Sequence, residues 1–331
     1  EDYPIDPKVR DKVLAKGEGS SIEKALLLQS LLSAVNVNSQ LVWAADRSRG
    51  RVLADLPNPG AFDRILVRVA REGGFATYYD PVDRSLGPGR LAPDYEGTLA
   101  LVHDAKKPET ITLPITSFAA HQKKAAISLT VNDEGHTTGK GELTLKGHYA
   151  WEKSAPRREA KDTTEAWQKW ADAAMPGFKV TGIRVEDKPD EATLRVEWSM
   201  AATEESTLGD EVTLNPARPI GPFSQPFTVS ETERRSPIMM DHGGIEEMEL
   251  KISWPKGWSL ATRPQPSSMD AGIASYTVEL PGEAAPGTFV YKRNMQVRKR
   301  EPADRVEYAA LRNLFPEAEK RDAQTRVLAR R

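Results

Sequence analysis

A long succession of strand-like segments between residues 106 and 300 constrains the fold of this chain more than any other feature. Apolar and polar residues alternate within the segments, and turn signals such as Asn132-Asp133-Glu134-Gly135 separate them. The pattern covers residues 126–132, 137–151, 194–200, 245–253, 274–280 and 288–297. Short strands with regular turns are typical of stacked sheets, so the sequence predicts a β-sandwich-like domain here.

Helical patterns interrupt and flank these strands. Residues 161–175 form one predicted helix, on which Trp167 and Trp170 share a side, an arrangement that usually marks core residues. The clearest helix spans residues 20–34, because Ser20 is a good N-cap and Glu23 completes a capping box. Residues 304–331 are also predicted to be helical apart from Pro316.

The first hundred residues combine this capped helix with three predicted strands, at residues 40–45, 64–69 and 76–79. The sequence therefore predicts an α+β protein with three parts. These are a first domain over residues 1–104, a β-rich domain over 105–300 with the inserted helix, and a helical tail over 301–331.

Composition excludes several classes of function. Lys and Arg number 46 against 48 Asp and Glu, whereas a nucleic-acid-binding protein normally shows a basic excess. No run of about 18 apolar residues is present, so no membrane span is predicted. Cysteine is absent, which rules out disulfides, thiolate catalysis and zinc–sulfur sites. The five histidines lack the spacing of metal ligands, so we predict no metal and no cofactor. They are His103, His121, His136, His148 and His242.

Three short motifs occur in order in the first domain. They are Gly19-Ser20-Ser21-Ile22-Glu23-Lys24-Ala25 before a leucine run, Phe62-Asp63-Arg64 at the start of an alternating strand, and Tyr78-Tyr79-Asp80-Pro81 at the end of the next strand. In this order they resemble the motifs of bacterial transglutaminase-like proteins with flanking β domains, the DUF3857 type. The resemblance implies a papain-like core, of which the N-terminal part is missing, followed by the β domain and a C-terminal helix.

The resemblance also implies a degenerate catalytic triad. Ser21 stands where the family has its cysteine nucleophile, Arg64 stands where it has its histidine, and Asp80 matches the family's aspartate. A serine hydroxyl needs a general base, and arginine stays protonated, so we expect the site to be inactive. The hairpin through Gly73-Gly74 is expected to bring Arg64 and Asp80 into direct contact close to Ser21.

Two alternatives remain open. Ser21 and Lys24 also fit the Ser-x-x-Lys pattern of penicillin-binding enzymes, so a serine-dependent hydrolase or acyltransferase that uses Ser21 is one of them. The other is a purely structural module of a larger assembly, in which side chains fill the former cleft. A proton acceptor within reach of the Ser21 hydroxyl would favour the enzyme, and an open groove would favour a binding protein.

The family resemblance leads to the main functional hypothesis, a non-catalytic pseudo-transglutaminase that acts as an exported binding or scaffolding protein. It implies a periplasmic or extracellular location in a bacterium. The expected partner is an upstream segment of the same precursor, another protein or a cell-surface polymer. Glu1 is expected to follow a proteolytic or cloning boundary, since the family places further structure before the core.

Overall fold

The computed structural model describes residues 9–50, 52, 58–104, 109–203, 207–208, 211–214, 238–262, 265–281, 286–324 and 326–330. The chain divides into two compact units. The first comprises Glu1–Thr116 with Pro189–Glu191, and the second comprises Ser117–Lys188 with Ala192–Arg331. The first unit thus extends beyond residue 104, where the sequence analysis placed the end of the first domain. Glu1 lies outside the described residues.

The first unit consists of two helices and a five-stranded antiparallel sheet in the order β3-β2-β1-β4-β5. The helices are α1 (Val9–Lys16) and α2 (Ser21–Ala34), and the strands are β1 (Ser39–Ala45), β2 (Phe62–Ala70), β3 (Ala76–Tyr79), β4 (Leu99–Val102) and β5 (Glu109–Thr112). Helix α2 packs on β1 and β2 through Ala25, Leu26, Leu41, Ile65 and Val67, which are all buried. The three strands predicted for this region are therefore confirmed as β1, β2 and β3.

The capping box at the start of α2 is confirmed. The Ser20 side chain accepts a hydrogen bond from the Glu23 backbone N–H at 3.4 Å, and the Glu23 carboxylate accepts one from the Ser20 backbone N–H at 2.7 Å. Two N–H groups that would otherwise lack a partner at the helix start are thereby satisfied. This fixes the position of Ser21, the first residue of α2.

The second unit is built on an eight-stranded sheet in the order β14-β15-β16-β12-β6-β7-β9-β8. Its neighbouring strands are antiparallel except for the parallel pair β12 and β6. The bounds are β6 (Gln122–Val131), β7 (Thr137–Lys146), β8 (Phe178–Lys188), β9 (Thr193–Ala202), β12 (Gly244–Ser253), β14 (Ser267–Asp270), β15 (Ala274–Glu279) and β16 (Thr288–Val297).

A smaller sheet of four strands lies in the same unit, in the order β10-β11-β17-β13. Its strands are β10 (Thr207–Leu208), β11 (Glu211–Leu214), β13 (Trp258–Leu260) and β17 (Arg326–Arg330). Trp258 and Leu328 of this sheet belong to the same apolar core as the inward-facing residues of the large sheet. The α+β class is confirmed, with two sheets sharing one core in the β-rich part.

The helices of the second unit differ from the prediction. The segment 137–151 is not one strand, because β7 ends at Lys146 and α3 (His148–Arg158) follows Gly147. Gly147 has a φ of 63°, and a side chain there would lie 2.4 Å from Nδ1 of His121, so only glycine fits this break. The predicted helix 161–175 corresponds to α4 (Thr163–Ala174), which is capped by Asp162.

The C-terminal segment also differs from the prediction. Helix α5 (Arg305–Asp322) runs through Pro316, which was expected to interrupt it, and the chain then turns into strand β17. Asp304 caps α5 by accepting hydrogen bonds from the backbone of Val306 and Glu307, both at 2.9 Å. The helical prediction for residues 326–330 is wrong because these residues pair with β11 and β13. None of the described helices has both the length and the apolar character needed to cross a bilayer.

Candidate functional site

Ser21 lies half-buried at the start of α2, against strand β2. Its Oγ accepts a hydrogen bond from the backbone N–H of Ile65 at 3.4 Å. Ile65 directly follows Arg64, so the first two motifs of the sequence analysis meet at this contact. The hydroxyl oxygen therefore faces a backbone donor and not a base.

Arg64 and Asp80 are in contact, as the hairpin pattern predicted. Nε of Arg64 lies 3.6 Å from Oδ2 of Asp80. Antiparallel pairing of β2 with β3, in which Val67 lies opposite Tyr79, brings the first part of β2 beside the end of β3. The Asp80 side chain is 1% exposed and that of Arg64 is 25% exposed. The expected contact is thus confirmed, on a strand end that adjoins Ser21.

Tyr95 completes this group, and the sequence analysis missed it. Nε of Arg64 donates a hydrogen bond to the Tyr95 hydroxyl at 3.2 Å, and the guanidinium lies 5.2 Å from the centre of the tyrosine ring. The ring itself is buried. Tyr95 belongs to a loop without periodicity, so no pattern pointed to it. The sequence offered one sign that this loop packs inward, namely an aromatic residue close to the apolar residues Leu91 and Ala92. All three are buried in the structure.

The surroundings shift the pKa values of Asp80 and Arg64 for different reasons. Burial raises the pKa of Asp80, and the charge of Arg64 and the backbone donors of Val82 and Asp83 lower it by less. Those two N–H groups, at 2.9 and 3.4 Å, both bind Oδ1, whereas Oδ2 receives no hydrogen bond from the residues that the structure describes. For Arg64, burial opposes the charge, but the hydrogen bond of Tyr95 and the charge of Asp80 outweigh it and raise the pKa. Arg64 is therefore a fixed cation.

Neither Arg64 nor Glu23 is available as a proton acceptor for Ser21. Arg64 has no free lone pair, and the carboxylate of Glu23 is bound to the backbone and hydroxyl of Ser20 at 2.7 and 2.8 Å. Lys24 makes no hydrogen bond to Ser21 among the described residues, so the Ser-x-x-Lys geometry is not assembled there. The part of the first unit that the structure describes also brings no three metal-ligating side chains together around this position.

Three of the histidines that the sequence analysis regarded as scattered meet in the second unit. The rings of His121 and His148 stack with centroids 4.0 Å apart, and that of His242 lies 5.3 and 5.4 Å from them. His242 contacts the carbonyl of Gly243 through Nδ1 at 2.6 Å and the carboxylate of Glu152 through Nε2 at 3.0 Å. Burial lowers the pKa of His242, but Glu152 and the carbonyl raise it by more. These residues come from α3, from the residue just before β6 and from the segment before β12, which is why sequence spacing did not reveal the cluster.

The two tryptophans of α4 occupy the core, as predicted. Trp167 is 7% exposed, and its ring meets that of Trp170 edge to face with centroids 5.6 Å apart. Trp170 in turn meets Trp198 of β9 at 5.9 Å. Helix α4 is thereby fixed on the large sheet.

Comparison with known proteins gives three findings. Residues 210–328, less than half of the chain, match the family model DUF3858, which is described as a domain of unknown function with a solved structure. No curated protein matches the chain. Among solved structures, the chain is similar to one titled a putative protease from Parabacteroides distasonis, with 15% sequence identity and a TM-score of 0.49. That match covers 97% of this chain and 46% of the other, so the chain spans less than half of that protein's length. The established similarity is thus to DUF3858, over the part that contains β11 to β17 and α5.

Proposed function

We propose that this chain is a non-catalytic pseudo-transglutaminase of the DUF3857 type, exported by a bacterium, which binds a partner or holds an assembly together. The observation that carries the proposal is the position of Arg64, which contacts Asp80 at 3.6 Å and donates a hydrogen bond to Tyr95 at 3.2 Å. A permanently protonated side chain occupies the place where catalysis would need a base. The exported location and the family type rest on the three sequence motifs.

Ser21 does not compensate for the missing base. A cysteine at a helix N-terminus can become a thiolate, because the helix dipole and a nearby imidazolium lower its pKa. A serine hydroxyl titrates far too high for the same interactions to ionise it near neutral pH, so it needs a neighbouring proton acceptor. A backbone N–H at 3.4 Å occupies the hydroxyl oxygen, and the nearby Glu23 carboxylate is engaged in the capping box. Neither of these two contacts activates the Ser21 hydroxyl, which argues against the serine hydrolase alternative.

The activity test compares the native chain with Ser21→Ala and Ser21→Cys. We expect no glutamine deamidation, transamidation or peptide hydrolysis from any of the three proteins. Turnover by the native chain that Ser21→Ala abolishes would refute the proposal and support the serine enzyme. Because the chain contains no cysteine, Ser21→Cys also introduces a single thiol that can be titrated without interference.

That thiol tests whether Ser21 and Arg64 occupy positions of one former site. The rate of alkylation by iodoacetamide is measured against pH for Ser21→Cys and for Ser21→Cys combined with Arg64→His. Only the double variant is expected to show an additional inflection between about pH 5 and 8, where an imidazole titrates and changes the ionisation of a nearby thiol. Identical profiles would mean that the two positions do not interact, and the degenerate triad would be refuted.

The binding role is tested with the same single cysteine. A photo-crosslinker attached to Ser21→Cys is compared with one attached to Lys140→Cys, an exposed residue of β7 in the other unit. The full-length protein is labelled in its native host extract, and adducts are identified by mass spectrometry. A specific adduct at position 21 that is absent at position 140 supports binding at this site. Crosslinks confined to the chain's own neighbouring side chains would indicate the structural alternative, in which the cleft is filled.

A further inference from the structure

A cavity in the second unit lies between helices α3 and α4 and strand β8, and it does not belong to the site described above. Its volume is about 600 Å³, within the range of roughly 300–1,000 Å³ that is usual for small-molecule sites. The side chains that matter here are those of Arg157, Thr163, Thr164, Trp167, Ile183 and Val185. The lining therefore combines apolar side chains with a cation and two hydroxyls.

Arg157 is one of two arginines that line this cavity. Among the described residues no carboxylate forms an ion pair with it, and burial lowers the pKa of Arg157 with no opposing charge. Its Nη1 donates to the carbonyl of Lys153 at 2.7 Å, whereas its buried Nε has no acceptor in the part of the chain that the structure describes. A partly buried cation without a counter-charge is costly, so a ligand that brought a negative charge to the guanidinium would be bound favourably.

The neighbouring Arg158 provides an internal contrast. It lines the same cavity but forms a two-pronged ion pair with Asp187, in which Nε lies 2.5 Å from Oδ2. Asp187 therefore neutralises Arg158 and leaves one net positive charge, on Arg157. A single negative charge would balance the cavity, whereas a dianion would leave an excess.

The surroundings of Arg157 determine what the rest of a ligand must be. The guanidinium lies 4.9 Å from the centre of the Trp167 ring, so the tryptophan holds it in place from one side. Ile183 and Val185 lie two residues apart on β8, and Val185 is 37% exposed although it is a large apolar residue. Strand β8 is at the edge of the sheet, where a single strand, β9, pairs with it. An apolar body would cover these side chains.

We infer that this cavity binds a monocarboxylate with an aromatic or branched apolar body, with the carboxylate on Arg157 and the body against Trp167, Ile183 and Val185. The Thr163 and Thr164 side chains supply hydroxyl donors at the beginning of α4 beside the carboxylate. Gln168 does not contribute, because its side-chain amide already donates to Asp172 at 2.9 Å and to the carbonyl of Val180 at 3.2 Å. The inference is independent of the proposed function of the first unit.

Calorimetric titration of the full chain with 4-phenylbutyrate tests this inference, with 4-phenylbutyramide as the neutral analogue and inorganic phosphate as a competitor. We expect saturable binding of the acid, binding of the amide at least about ten-fold weaker, and no displacement by equimolar phosphate, since charge-assisted hydrogen bonds are the strong ones. Equal affinity for acid and amide would overturn the role of Arg157. Displacement by phosphate at similar affinity would overturn the role of the apolar wall.

Variants locate the site. Arg157→Gln should weaken binding of 4-phenylbutyrate about ten-fold or more, whereas Arg184→Gln, which removes an exposed cation of the same strand β8, should leave it unchanged. Val185→Trp puts a larger side chain at an exposed lining position and keeps Arg157 in the chain, so it should abolish binding while the melting temperature stays near the native value. Unchanged affinity in both Arg157→Gln and Val185→Trp would overturn the assignment, and Val185→Trp keeps the test valid if Arg157→Gln unfolds.

Discussion

Replacing Arg64 with methionine should destabilise the protein in a strongly pH-dependent way. The substitution removes the cation 3.6 Å from Asp80 and leaves a carboxylate whose side chain is 1% exposed. Two backbone N–H groups still bind Oδ1, but no positive charge offsets the burial. A buried charge that loses its partner is among the few changes that cost several kcal/mol.

The magnitude has a ceiling set by the carboxylate itself. Asp80 can take up a proton when its charge becomes too costly, and each pKa unit is worth about 1.36 kcal/mol. From an unfolded-state pKa of about 3.9 to pH 7 the cost of keeping the charge cannot exceed about 4 kcal/mol. Burial already raises the pKa of Asp80 in the native protein, so the native protein already bears part of this cost and the variant can add only the remainder. We therefore expect Arg64→Met to lower the free energy of unfolding by about 2–3 kcal/mol at pH 7.

The pH dependence follows from the sign of the shift. Asp80 has a folded-state pKa above its unfolded value, so its ionisation destabilises the fold and this effect disappears as pH falls. Removing Arg64 raises the folded-state pKa of Asp80 further. The difference between Arg64→Met and the native protein should therefore shrink from pH 7 to about pH 4, leaving only the pH-independent loss of the Tyr95 contact.

Urea denaturation from pH 4 to pH 8 provides the measurement, and the chain offers a matched control. Arg68 is on the same strand and its side chain is 23% exposed, but its partner Glu109 is 59% exposed and needs no compensating cation. Arg68→Met should therefore show no comparable dependence on pH. Adding Asp80→Asn to Arg64→Met should restore most of the lost stability at pH 7. A loss that is constant from pH 4 to 7, or one that Asp80→Asn does not relieve, would refute the reasoning.

Three further predictions concern the second unit. Asp322→Asn should lower the free energy of unfolding in urea by about 2–3 kcal/mol, because fully buried Arg293 loses the carboxylate 2.7 Å away and keeps Glu246 at 3.5 Å. The contact with Glu152 raises the pKa of His242, so protonated His242 should stabilise the fold fully below about pH 6.5. This stabilisation should decline as pH rises through the folded-state pKa of His242. Stability measured between pH 5 and 9 should show no such decline in His242→Gln. Asp304→Ala removes the cap of α5 and should cost about 1 kcal/mol by thermal denaturation, while an unchanged melting curve would contradict the capping role.

Local patterns predicted much of the first unit. The capping box fixed the start of α2, and alternating β-branched residues located β2, since both signals depend on neighbours within a few residues. The contact between Arg64 and Asp80 was predictable because a hairpin converts closeness in sequence into closeness in space. The third member, Tyr95, comes from a loop 31 residues after Arg64, where no local rule determines the path of the chain.

The incorrect secondary-structure predictions for the second unit also arise where tertiary structure outweighs local pattern. Strand β8 was missed because it is an edge strand with a register shift between Thr181 and Arg184, so its exposed residues do not alternate clearly. The expected break at Pro316 did not occur, because Leu314 and Phe315 before it and Ala318 after it are all buried. Tertiary burial there outweighs the lost hydrogen bond of a proline.

The free-energy cost of burying the Asp80 carboxylate bears on the binding role proposed for the site around Ser21, Arg64 and Asp80. A carboxylate with a raised pKa weakens the fold at neutral pH even with Arg64 beside it, so stability alone does not explain why Asp80 is buried here. Ionisable groups in such strained surroundings concentrate at functional sites. Oδ2 of Asp80 lacks a hydrogen-bond donor among the described residues, and Arg64 beside it is partly exposed. Arg64, 25% exposed, is the member of this pair that a partner can reach, so the proposed binding role would place an anionic group of the partner on its guanidinium.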